Sequence, residues 1–248
     1  MPTFLARYLA GEHEPVWAEL LALGAAVREE PHSTDARAVA RETMRRVQHN
    51  ITLLIPRLRE LGYTFGYQWA VDRGALTPEQ AREMEQHEPL LSPPSGEIGP
   101  LIDEVERRAG VLPLSLRAFY AVVGGVNFVG SHPVWGAYGL DALVVESAAQ
   151  AIELDDWMRW SDDKDLHGSC TLPIAPDEHH KYYVSGNIYT IRVPALVADV
   201  RLEGEWHNTT FVNYLRICCR WGGLPGLERS RDVPTHELEV LTRDLLPL

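Results

Sequence analysis

The sequence predicts an α+β architecture: a helical N-terminal part followed by an antiparallel sheet flanked by helices. Three observations lead there. Before residue 92 the apolar residues mostly recur at helical spacing. Beyond residue 140, short β-branched and aromatic runs are separated by turn residues, as in Tyr182-Tyr183-Val184-Ser185, Gly186-Asn187 and Ile188-Tyr189-Thr190-Ile191. Capping residues and glycines between these runs bracket further helices, unlike the strict strand–helix alternation of a parallel sheet.

The first part begins with a helix over Glu14 to Arg28, with Val16, Trp17, Leu20, Leu21 and Val27 inward. Ser33 or Asp35 is expected to cap a longer one. In it Ala40, Met44, Val47, Ile51, Leu54, Leu58 and Leu61 alternate spacings of four and three, a seam suited to packing along another helix. Pro56 cannot donate to the Thr52 carbonyl, so a kink or break is expected there. Arg37, Arg41 and Arg45 follow one flank at i, i+4, i+8, forming a solvated face or one that docks on acidic surface. Tyr63, Phe65, Tyr67 and Trp69 alternate with small or polar residues; an extended segment would turn all four rings to one side for packing. Thr77-Pro78-Glu79-Gln80 starts a helix with an N-cap, proline at N1 and a capping box. Ser92-Pro93-Pro94-Ser95-Gly96 reads as a linker, dividing a helical region, residues 1–91, from an α+β domain, residues 96–248.

The second part opens on a helix with Leu101, Ile102, Val105 and Ala109 on one face and Gly110 at its end. Leu112-Pro113-Leu114-Ser115 leads into another. Ser115 is expected as N-cap, Leu114 as a staple on Phe119, and Leu116, Phe119, Tyr120 and Val123 as the buried face before Gly124-Gly125. This amphipathic helix ending in glycine, then Leu-Pro-x-Ser-Leu-Arg-x-Phe-Tyr and a double-glycine exit near Asn127, resembles the opening of the SUKH superfamily. That group includes cell-wall assembly regulators and many bacterial immunity proteins against polymorphic toxins. The resemblance covers roughly residues 96–228. It implies a SUKH-like fold and a protein-binding role, and it transfers no site residues, because the family's binding surface varies.

Further on, Leu140 to Val145 reads as a strand, and Ser147 as the cap of a helix carrying Ile152, Leu154, Trp157 and Met158. The Tyr182–Ile191 stretch reads as a hairpin with a two-residue turn. Ala195 to Leu202 suggests a second. Thr210 caps a helix with Phe211, Tyr214, Leu215 and Cys218 on one face, and Thr235 starts the last helix.

Catalytic and metal chemistry find little support. No nucleophile elbow, phosphate loop, dinucleotide fingerprint or HExxH is present. Asp163-Lys164-Asp165-Leu166-His167-Gly168 imitates a calcium loop, but Ile174 stands where a bidentate glutamate is needed. Asp177-Glu178-His179-His180 offers ligand types, yet adjacent histidines in a strand point apart, so a turn is expected. Cys170, Cys218 and Cys219 are odd in number and form no CxxC pair. No cofactor or metal is therefore expected. An enzyme with a site assembled from distant residues, using His179 and His180, and a regulatory interaction module remain as alternatives.

Charge carries the most function-bearing signal. The net charge is −12, and Asp141 to Glu178 holds ten acids against Arg159 and Lys164. Asp155, Asp156, Asp162, Asp163 and Asp165 crowd eleven residues, with Trp157 and Trp160 among them. Such a field repels nucleic acid and attracts a basic protein, and aromatic anchors ringed by charge suit an interface. These seven residues are the expected partner surface of a non-catalytic binding protein, an immunity protein that occludes a toxin. No apolar run spans a membrane and no secretion signal opens the chain, so a cytoplasmic location is expected.

Overall fold

The computed structural model describes residues 3–135, 140–160, 171–230 and 234–248, and for residues 155–160 the backbone alone. The fold is α+β, with helices around small antiparallel sheets. Its axis is α3 (Ser33–Glu60), which follows α1 (Phe4–Leu9), α2 (His13–Ala22) and a 3-10 turn (Gly24–Arg28). The alternating seam is buried through the helix as its period requires, with Ala40, Met44, Val47, Ile51, Leu54 and Leu58 facing the core, while Leu61, the capping residue just past the helix, is only half-buried. Pro56 sits inside the helix without ending it. Packing of Ile55 and Leu58 on either side holds the last turn in place.

The cap of α3 differs from expectation. The Ser33 side chain is turned to Glu30, while Asp35 accepts the Phe4 amide and, at 3.2 Å, the Leu5 amide of α1. Asp35 thus satisfies free donors of another helix N-terminus, where a carboxylate is also favoured by the helix dipole.

The aromatic row is buried or half-buried as expected, but only Thr64–Phe65 (β1) is strand, and Trp69 already belongs to α4 (Gln68–Asp72). The capping box forms as predicted at the start of α5 (Pro78–His87). Thr77 N donates to Gln80 Oε1 at 2.8 Å, and Gln80 N to Thr77 Oγ1 at 3.2 Å.

Beyond it lie β2 (Leu91–Ser92), α6 (Ile98–Ala109) and α7 (Leu114–Val122). Ser115 does not cap α7. Pro113 is the capping residue, and Ser115, fully buried, donates at 2.7 Å to Asp199 Oδ1. A buried carboxylate far along the chain takes the Ser115 hydroxyl, while the first-turn amides of Leu114 and Ser115 donate to the Val197 and Ala198 carbonyls at 3.2 and 2.9 Å, so neither the carboxylate nor the helix start is left unpaired. Gly124 (φ +86°) follows. A Cβ there would lie 2.0 Å from the Ser92 carbonyl oxygen, so the double-glycine exit exists for close backbone approach as well as for helix termination.

The sheets join distant stretches. β1 pairs with β4 (Gly130–Ser131). In a second sheet β3 (Gly125–Asn127) lies between β2 and β5 (Val144–Val145). After α8 (Ala148–Trp160), capped by Ser147 as expected, β6 (Thr171–Pro176) pairs with β7 (Ile188–Arg192), and β7 with β8 (Leu202–Glu203). This corrects the predicted hairpin: the partner of β7 is Thr171–Pro176, and Tyr182 lies in a 3-10 turn (His180–Tyr182). α9 (Phe211–Arg220), a 3-10 turn (Pro225–Arg229) and α10 (Thr235–Thr242) complete the chain. At α9, Thr210 occupies the cap position without a side-chain cap bond, and Asp199 Oδ2 instead accepts the Val212 amide at 3.0 Å.

One contiguous hydrophobic core runs through both parts of the sequence. β2, just before the expected linker, is hydrogen-bonded to β3 beyond it, and α7 packs along α3. Asn50 of α3 also clamps the C-terminal segment, donating to Leu246 O at 2.9 Å and accepting from Leu246 N at 2.8 Å. Among the described residues no helix is long and apolar enough to cross a membrane.

Candidate functional site: the acidic segment and the cleft beside it

The expected partner residues fall at the edge of what the structure describes. Asp155, Asp156, Trp157 and Trp160 lie on the last turns of α8, of which only the backbone is described. Asp162, Asp163 and Asp165 lie outside the described residues, as does the calcium-like run apart from Ile174, which is buried in β6.

The frame on both sides of that stretch is clear, and it sorts the acids. Asp141, at its start, is fully buried and accepts from Lys181 Nζ at 2.6 Å. Tyr189 OH donates to the same carboxylate at 3.4 Å, and the Lys181 ammonium lies 5.0 Å from the Tyr189 ring. Two charges removed from water persist only when each is the other's partner and further bonds fill their valences. Glu146 is also buried, and its carboxyl is pushed up to about 8, first by burial and then by the like charges of Glu88 and Glu153.

At the far end Asp177 ties the β6–β7 loop. Its Oδ1 accepts the amides of His179 (3.1 Å) and His180 (2.8 Å), and its Oδ2 accepts that of Asn187 (2.6 Å). Gly186 has to be glycine here, because a Cβ would stand 2.1 Å from Asp177 Oδ1. Glu178 pairs with Arg229. Asp141 and Glu146 are thus interior groups, while Asp177 and Glu178 are bound within the fold. The acidity not already consumed by this frame lies between Glu153 and Asp165 in the sequence.

The loop is held from below and presents side chains above. Lys181 and Tyr182 point inward, and Tyr182 packs at a tilt on Trp69, 5.6 Å between centroids. Tyr183 takes a left-handed conformation (φ +61°), which turns it and Val184 outward, 51% and 44% exposed. His179 and His180 are both exposed. Their neighbour Asp177 is used up by backbone amides, and among the described residues no group of three or more His, Cys, Asp or Glu side chains is placed to hold a metal.

Beside the loop opens a cleft of about 420 Å³, lined by Trp135, Leu140, His179, Tyr182, Val184 and Arg229. Trp135 stacks on His132 at 3.9 Å, and His132 Nδ1 accepts the Trp135 amide at 3.1 Å. Its Nε2 faces the Leu61 carbonyl at 2.8 Å, so that nitrogen carries the proton. Val134, next to Trp135, is 84% exposed. On the opposite wall Arg229 lies 4.8 Å over the Trp206 ring. His207 packs at a tilt on Trp206 and bridges Glu205 and Glu228, the latter at 2.8 Å. Burial alone would lower its pKa, but the two carboxylates outweigh burial and raise it.

The site therefore combines a small, open, mixed-polarity cleft with exposed apolar side chains at one end of the acidic stretch. Such an arrangement can seat a protruding side chain of a protein partner. Sequence reasoning missed Trp135, Val184 and Arg229, because residues so far apart share no local pattern. The faint signal was an apolar Tyr183-Val184 pair in a turn-rich stretch. No family model matches the chain, and no similar chain is found among curated proteins or solved structures.

Proposed function

We propose that this chain is a non-catalytic protein-binding module whose acidic stretch and adjoining cleft meet a basic protein, as an immunity protein meets a toxin. The observation that carries the reading is the crowding in the sequence of Asp155, Asp156, Asp162, Asp163 and Asp165 with Trp157 and Trp160 among them, together with a cleft lined by Glu178, His179 and the exposed Val184, where the acidic stretch ends in the sequence. Like charges that close raise the free energy of the unbound protein, and a basic surface relieves it. The resemblance of Leu112 to Gly125 to the SUKH opening supports the immunity role. On this reading the protein works in the cytoplasm, where a toxin acts on its target, and it meets neither nucleic acid nor membrane.

The acids then steer encounter while the tryptophans and the cleft hold the complex. The test uses the product of the neighbouring gene as partner, with association and dissociation rates measured at low and high salt. Replacing Asp162, Asp163 and Asp165 by Asn should slow association several-fold and flatten its salt dependence. Trp157→Ala and Val184→Glu should speed dissociation. Unchanged association overturns the steering role, and unchanged dissociation overturns the anchors.

A further inference from the structure

A second surface of opposite sign lies on the far part of the sequence. α3 carries six arginines against Asp35, Glu42 and Glu60, in a chain whose net charge is −12. Arg37 and Arg41 are exposed on one flank, and Arg117 of α7 faces them across a groove of about 200 Å³. The groove floor is small and apolar: Ala40, Leu114, Ala118 and Ala121. A second hollow of about 330 Å³ lies beside Arg45, Ile51, Leu91 and Val123, also on α3 and next to α7. Gln48 Nε2 donates to the Val122 carbonyl at 2.9 Å and so satisfies the last turn of α7 from within.

These arginines are weakly engaged. Arg117 stands 3.6 Å from Asp103 and 3.7 Å from Glu106, beyond hydrogen-bond distance, and Arg45 stands 3.6 Å from Glu42. Arg37 bonds only within its own turn, to the Ser33 carbonyl at 3.1 Å and the Ser33 hydroxyl at 3.4 Å. The guanidinium forks retain donors for an incoming carboxylate.

We infer that the α3–α7 groove docks an acidic amphipathic helix of a protein partner. Arg37, Arg41 and Arg45 follow one another at about 6 Å, the rise of four helical residues, which matches a ladder of Glu side chains at i, i+4, i+8. Alanines along the floor let a second backbone come close. From Arg37 to Thr52 the face runs about 22 Å, the length of a four-turn helix. A polyphosphate chain would meet the field of a protein whose net charge is −12, whereas a short acidic helix engages the groove alone.

The probe is a fluorescein-labelled helical peptide of about 16 residues, with Glu at every fourth position and Ala or Leu on the facing stripe; its Lys-for-Glu analogue is the control. Anisotropy is measured with the full chain at about 50 mM and about 500 mM salt. The Glu peptide should bind and weaken with salt, and the Lys peptide should not bind. Arg37→Glu with Arg41→Glu should weaken binding about tenfold, two attractive pairs having become repulsive. Ala121→Trp should weaken it by filling the groove. Arg82→Glu with Arg107→Glu, exposed residues on α5 and α6 giving the same charge change, should leave binding unaltered. No binding, equal binding of the Lys peptide, or equal weakening by the control pair overturns the inference. So does a wild-type dimer that Arg37→Glu with Arg41→Glu dissociates, since the occupant is then a second copy of the chain.

Discussion

Replacing Glu146 by Gln should remove a pH-dependent destabilisation built into the second sheet. Glu146 follows β5 and is buried, with Glu88 and Glu153 as like charges and Lys181 as an opposing one. Its carboxyl titrates at about 8 in the fold against an ordinary 4.5, so the folded protein holds this proton more tightly than the unfolded chain. Stability from this group is therefore fully present below about 4.5, falls as pH rises and levels off above about 8. At about 1.36 kcal/mol per pKa unit, most of the difference falls between pH 5 and pH 9 and amounts to about 3–4 kcal/mol. The substituted amide keeps the shape of the protonated acid and does not titrate. Urea unfolding of both proteins across that range isolates the effect, because every other titrating group is common to the two. The stability of Glu146→Gln relative to wild type should rise by about 3–4 kcal/mol from pH 5 to pH 9, or about 8–12 °C in Tm. A difference that stays flat across the range would refute the burial argument.

Three further outcomes follow from the packing. Phe119 is fully buried against Phe211, 5.5 Å between centroids, and Phe119→Ala should cost about 3–5 kcal/mol in urea unfolding. His207 bridges Glu205 and Glu228 with a raised pKa, so its stabilisation is present below its ordinary 6.5 and is lost as pH rises through the folded value; His207→Gln should flatten that part of the stability profile. Residues 96–248 expressed alone lose α3 from α7 and β2 from β3, and should show no cooperative urea transition; a sharp transition would establish that segment as an autonomous unit.

Local interactions were legible in the sequence because both partners lie within a few residues of each other. The Thr77–Gln80 capping box, the Ser147 cap, the buried seam of α3 and the glycine end of α6 each depend on one turn of chain and one period. The acidity of Asp141 to Glu178 was equally legible, since charge is read by counting. Tertiary structure decided every choice between a near partner and a far one. Ser115 left its own helix end for Asp199, Asp35 went to the amides of α1, and β7 took Thr171–Pro176 as its neighbour. It also decided which acids face inward: Asp141 is held by Lys181, forty residues on, and Glu146 is enclosed. The cleft brings Trp135, Tyr182 and Arg229 together from widely separated stretches of the chain. A buried polar group takes whichever partner satisfies it most fully once water is gone, and that competition is settled by the whole fold rather than by spacing along the chain.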